Sequence, residues 1–113
     1  MRFSNRQDSG KTVVEVTQAR LDASLAQPFR DYLFELIEQG ETDLVIDLSQ
    51  VDFMDSSGLG VIVAALKKVS AQGSIALAEP SKAVNDLFDL TCMDKLFPIH
   101  TSVAAALGGL SGE

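Results

Sequence analysis

Residues 43–69, DLVIDLSQVDFMDSSGLGVIVAALKKV, run from a short apolar segment through a loop of carboxylates and hydroxyls into a stretch that is charged only near its end. The first six residues, DLVIDL, read as a strand. Beyond the loop, Leu59, Ile62, Val63, Leu66 and Val69 recur at the i, i+3, i+4 spacing of a helix, and Gly73 is placed to end it. A strand that feeds a helix through a short loop is half of a parallel crossover unit. Parallel neighbours need a long connection, and a helix supplies it.

The alternation continues on both sides. SIALAE, residues 74–79, reads as a buried strand, and Ser81 after Pro80 can cap a helix carrying Val84, Leu87, Phe88 and Thr91. A short strand at 96–99 follows, then a helix at 101–107 stopped by Gly108 and Gly109. Toward the N-terminus, VVEVTQ at 13–18 reads as a strand, joined by a turn at Asp8, Ser9 and Gly10 to an edge strand at 2–7. Asp22 or Ser24 can cap a helix that runs to Gln39, with Phe29, Tyr32, Leu33, Leu36 and Ile37 as its apolar stripe and Gly40 as its stop. Pro28 removes a donor and clashes with the preceding turn, so the regular helix is expected to begin near Gln27. Together these elements predict an α/β fold: a small mixed, mainly parallel sheet with an N-terminal hairpin and about four helices. In such sheets functional residues gather in the loops after strand carboxyl ends, and the loop after Leu48 is one of these.

The chain has 113 residues and shows no linker, repeat or low-complexity block, so a single domain over 1–113 is expected. Nine Lys and Arg stand against sixteen Asp and Glu, a net charge of -7. Arg2, Arg6, Lys11, Arg20 and Arg30 are scattered and only Lys67 and Lys68 adjoin, which argues against nucleic acid or an anionic membrane as partner. The single Cys92 excludes an internal disulfide and fits a reducing compartment; beside Met93 it is expected in the core at a helix end. The longest apolar stretch, 59–66, is far below the ~20 residues that span a bilayer. No secretion signal follows Met1, and the expected location is cytoplasmic.

The loop carries the chemistry. Asp55 or Ser56 stands where the helix begins, and a side-chain oxygen there accepts from an unpaired backbone N–H, so the serine pair has an ordinary capping explanation. Gly58 and Gly60 weigh against that explanation alone, because each costs about 0.8 to 1 kcal/mol relative to alanine inside a helix. What they offer in return is a backbone open to close approach. Val61, Ala64 and Ala65 leave the faces beside the core stripe apolar or small. Either this helix is covered on both sides, or its first half is a patch that meets another protein. A chain this short has little material for a second cover, which favours the patch.

FMDSSGLGVIV, residues 53–63, resembles the signature of the anti-sigma factor antagonists, single-domain members of the STAS family. The likeness extends through the N-terminal hairpin, the Leu-Asp pair of ARLDAS at 19–24, and AVNDLFDLTCMDKLFPI at 83–99. It implies a STAS-type (βα) superhelix and a partner switch. Ser56, directly after the aspartate, matches the serine that is phosphorylated in that family. The implied partner is both anti-sigma factor and serine kinase, of the histidine-kinase-like ATPase type. Unphosphorylated protein binds it and frees its sigma factor; phosphorylation ends the binding until a serine phosphatase of the PP2C type restores it. The implied partner-binding residues are Asp22, Asp55, Ser57, Gly58, Leu59, Gly60, Val61 and Ala64. Ser57 is either a plain first-turn residue or a group that positions the Ser56 hydroxyl. Asp55 either stabilises the helix dipole or orients Ser56 and touches the partner, and the resemblance favours the latter. Ala19 stands where relatives usually carry glycine.

Other chemistries find little support. A hydrolase elbow requires Gly-x-Ser-x-Gly, whereas Met54 and Asp55 occupy the leading position around Ser56 and Ser57, and His100 is the only imidazole. SGKT at 9–12 has Asn5 in place of the leading glycine of a phosphate loop and enters a strand. No zinc or calcium spacing is present, so no metal or cofactor is expected and the chain is read as a non-enzyme. The alternative is an adaptor subunit of a lipid-trafficking ABC transporter, or a regulator of an output other than a sigma factor; the full Asp-Ser-Ser-Gly-Leu-Gly motif favours the phosphoswitch.

Overall fold

The computed structural model describes residues 2–69 and 72–108. Its strands are β1 (Phe3–Asp8), β2 (Lys11–Val16), β3 (Arg20–Leu21), β4 (Asp43–Asp47), β5 (Phe53–Met54), β6 (Ser74–Ala78) and β7 (Ile99–His100). Its helices are α1 (Ala23–Glu38), α2 (Ser56–Val69), α3 (Lys82–Leu90) and α4 (Val103–Ala106), with a 3-10 turn at Met93–Lys95. The main sheet has the order β1-β2-β4-β6-β7. β1 and β2 pair antiparallel, and every later neighbour is parallel. Ser9 and Gly10 turn the hairpin with φ of 53° and 80°, the left-handed backbone that a tight two-residue turn requires. This is the mixed, mainly parallel sheet with four helices that the alternation predicts.

Period 2 divides the strands between two faces. Val14, Val16, Leu44, Ile46, Ile75 and Leu77 face the main core with Phe29, Leu33, Ile62 and Phe88 of the helices. Val13, Val45, Ala76 and Ala78 turn to the other face, where Val103, Ala106 and Leu107 of the last segment cover them. The small side chains there match the small cover available.

Several boundaries differ from expectation. β2 begins at Lys11 and ends at Val16, because the hairpin register pairs Asp8 with Lys11. β7 begins after Pro98, at Ile99, instead of at residue 96, and residues 93–95 form the 3-10 turn. α4 is shorter than predicted, and the Gly109 stop lies outside the described residues, as do residues 70 and 71 between α2 and Gly73. α1 begins at Ala23 despite Pro28. The proline removes only its own N–H, one turn from the start, while the Asp22 cap and the buried Leu25 hold that first turn. At the other end Gly40, at φ 98°, donates to Ile37 O and Glu41 N–H to Leu36 O, a closing motif that glycine favours. Cys92 is exposed at φ 59° in the turn after α3, not in the core.

Candidate functional site

Two strands too short to carry a period build the site. β3 and β5 form a separate parallel pair, with Arg20 opposite Phe53 and Leu21 opposite Met54. The Ala19 carbonyl accepts from the N–H groups of Asp52 at 2.7 Å and Phe53 at 3.1 Å, and Leu21 O accepts from Asp55 N–H at 3.4 Å. This register places Asp22 alongside Asp55, so the Leu-Asp segment and the serine loop form one surface. Ala19 is not among the non-glycine residues with positive φ, so alanine sits there without backbone strain.

Two of the carboxylates, Asp22 and Asp55, have a structural duty. Asp22 caps α1: its Oδ1 accepts from the Ser24 N–H at 3.1 Å and the Ser24 hydroxyl at 2.7 Å, and its Oδ2 accepts from Arg20 Nε at 3.3 Å. The Ser24 hydroxyl, foremost, holds its pKa below the ordinary 3.8 against the opposing effect of desolvation, with lesser help from the Ser24 N–H and Arg20. Asp55 caps α2, its Oδ1 accepting from Ser57 N–H at 2.9 Å and Gly58 N–H at 3.3 Å. Arg20 also lies over the half-exposed Phe53 ring, 4.3 Å from its centroid.

The serines are unequal. Ser56 is the exposed first residue of α2, and its hydroxyl is engaged by no protein group among the described residues. Ser57 is half-buried and lines a groove of about 250 Å³ with Gly60, Val61 and Ala64 of α2 and Ala26, Gln27 and Arg30 of α1. The glycines are unequal too. A Cβ on Gly58 would stand 2.5 Å from Leu21 O and 3.2 Å from Met54 Cγ, so this glycine lets β3 rest on α2. A Cβ on Gly60 would meet nothing within 4 Å, so Gly60 alone is open to a visitor.

The broad patch expected on α2 is therefore corrected. Leu59 and Val61 are 7% exposed and Ala65 is fully buried, because α1 packs along α2 and supplies the second cover. What remains accessible is the α2 N-terminus and the α1–α2 seam. Arg20, Phe53, Gln27 and Arg30 join this surface without having been singled out in the sequence. No local signal marks them, since each reaches the site only through tertiary packing.

Fold and site thus define a small α/β domain presenting a free serine hydroxyl at a helix start, beside a second capped loop. A family model described as the STAS domain matches residues 3–106, and the chain belongs to that family. It is 41% identical over 80 residues to the anti-sigma-B factor antagonist of Bacillus subtilis, covering 70% of this chain and 72% of that one. Among solved structures, an anti-sigma factor antagonist from Mycobacterium paratuberculosis superposes with TM-score 0.87 at 26% identity, covering 95% of this chain and 91% of that one. The fold also matches SpoIIAA of Bacillus in its phosphorylated form, with TM-score 0.72 at 21% identity over 96% of this chain and 98% of the other. Among the described residues no helix is long and apolar enough to cross a membrane.

Proposed function

We propose that the chain is an anti-sigma factor antagonist, a single STAS domain acting in the cytoplasm through a partner switch controlled at Ser56. Unmodified, it binds a serine kinase/anti-sigma factor of the histidine-kinase-like ATPase type and frees the sigma factor. Phosphorylation of Ser56 ends the binding, and a PP2C-type phosphatase restores it. The observation that carries this reading is the Ser56 hydroxyl, exposed at the start of α2 and without a protein partner among the described residues, directly after the Asp55 carboxylate that takes the Ser57 and Gly58 N–H groups. The family names of the relatives support the same role.

The geometry favours a blocking switch over a refolding one. Phosphate adds about -1.5 to -2 charge at a helix N-terminus. The anion position of that terminus is already filled, since Asp55 takes the Ser57 and Gly58 N–H groups. Asp22, held ionised, and the exposed Asp52 add like charge nearby. The phosphate therefore stays outward and solvated, and the domain need not rearrange. An interface closed over it would bury an unpaired charge at a cost of about 3 to 5 kcal/mol. That is roughly a hundred- to a few-thousand-fold in affinity.

The test is phosphate transfer from ATP by the organism's own kinase of this class to wild type, Ser56→Ala and Ser57→Ala. Loss of the single modification in Ser56→Ala alone is expected. Modification that persists there and disappears in Ser57→Ala would reassign the site to Ser57.

A further inference from the structure

The α1–α2 groove has a small-residue floor and one charged lip. Ala26, Gly60 and Ala64 carry at most a methyl group, and the space above Gly60 is open to 4 Å. Arg30 stands at the lip, its guanidinium carbon 4.7 Å from the centroid of the Phe34 ring. Among the described residues Arg30 has no ion pair, although the chain carries a net charge of -7. The carboxylate next to it in sequence, Asp31, accepts instead from Gln27 Nε2 at 2.8 Å. Lys68 approaches the same Phe34 ring at 5.0 Å but is paired with Glu38 at 3.2 Å. Arg30 is thus a cation steadied by an aromatic face with its charge left unspent.

We propose that this groove receives a segment of the kinase that modifies Ser56, with an apolar side chain over Gly60 and a carboxylate on Arg30, and that Arg30 determines which partner is accepted. The proposal rests on the partner-switch reading and extends the docking surface to α1. Two observations choose this occupant. Ser57 lines the groove next to Ser56, so a protein that reaches the Ser56 hydroxyl lies across the groove mouth. A second copy would bring another acidic chain against this one, while a carboxylate-bearing segment complements the unpaired Arg30 at the lip. The flat guanidinium suits a carboxylate because it donates two parallel N–H groups.

The experiment uses the ATPase of the histidine-kinase-like class from the source organism that phosphorylates wild-type Ser56, titrated calorimetrically at low and high salt against wild type, Arg30→Glu, Arg30→Gln and Gly60→Leu. Both positions are exposed, and amide spectra check that each variant keeps the fold. Arg30→Glu is expected to weaken binding by ~10-fold or more and to flatten its salt dependence, with Arg30→Gln intermediate. Gly60→Leu is expected to weaken binding while leaving the salt dependence as in wild type. Reversing a carboxylate of the kinase to arginine should restore binding of Arg30→Glu, which a merely structural role of Arg30 would not produce. Unchanged affinity of folded Arg30→Glu and Gly60→Leu for a kinase that modifies wild-type Ser56 would overturn the proposal alone. Absence of Ser56 phosphorylation by any such ATPase would overturn the partner-switch reading and the proposal with it. A dimer of the isolated chain that Arg30→Glu dissolves would assign the groove to a second copy and overturn the proposal as well.

Discussion

The carbonyl oxygen of Leu21 lies 2.5 Å from where a Cβ on Gly58 would stand, so the strand leading to Asp22 rests on the backbone of the helix that begins at Ser56. The two halves of the site are held together by an absence of side chain. Backbone hydrogen bonds from Asp52, Phe53 and Asp55 to Ala19 and Leu21 complete the joint.

This joint gives the two glycines opposite mutational signs. Helix propensity favours alanine over glycine by about 0.8 to 1 kcal/mol at either position. At Gly58 the new methyl meets a carbonyl that cannot swing aside, and overpacking of this kind costs ~1 to 3 kcal/mol. Gly58→Ala is expected to lower the urea midpoint. Gly60→Ala, with open space around it, is expected to raise the midpoint and add up to about 1 kcal/mol of stability while weakening the partner complex.

Asp55 and Ser56 adjoin in sequence but differ in what they support. Removing the Asp55 cap leaves two N–H groups of α2 unsatisfied, and Asp55→Ala is expected to cost about 1 kcal/mol in urea unfolding. Ser56→Ala removes a hydroxyl with no protein partner and is expected to stay within ~0.5 kcal/mol of wild type. Loss of partner control without loss of stability is the pattern expected of a switch residue.

Stability should fall in acid for an identifiable reason. Asp22 is held below 3.8 by Ser24 and Arg20, and Glu41 below 4.5 by the Thr12 hydroxyl and the Gln7 amide. Both carboxylates bind protons more weakly in the folded chain than in the unfolded one, so acid favours unfolding. Their contribution is present above those ordinary values and is lost as pH falls through the lowered, folded ones. Urea midpoints measured from neutral pH down through this window should decline in wild type. Asp22→Asn, which keeps a capping oxygen, and Glu41→Gln should each flatten the decline.

The corrected position of Cys92 is also checkable. In the turn after α3 it is exposed, so an aromatic disulfide reagent should titrate it fully in the native protein, at a rate little changed by denaturant. A core thiol would react only on unfolding.

The alternation of strand and helix was legible in the sequence because residues 43–48, 59–69 and 84–88 carry periods of their own, and the motif at 53–60 stands in one continuous run. The β3–β5 pair was not legible: two residues hold no period, and Arg20 and Phe53 meet only through the crossover. The second cover of α2 was hidden for a similar reason. Nothing local in residues 56–69 reveals that α1 lies along them, so Val61 and Ala65 read as surface although they belong to the core. Gly58 shows the same limit, since its partner in packing is the backbone of Leu21.

The most direct measurement is the affinity of the kinase/anti-sigma factor for this chain with and without phosphate on Ser56, taken together with the amide spectra of both forms. Phosphate is expected to weaken binding by roughly a hundred- to a few-thousand-fold, with spectral changes confined to the start of α2 and the adjoining Asp22 loop. Equal affinity of the two forms, or a spectrum altered across the main sheet, would contradict a blocking switch at Ser56.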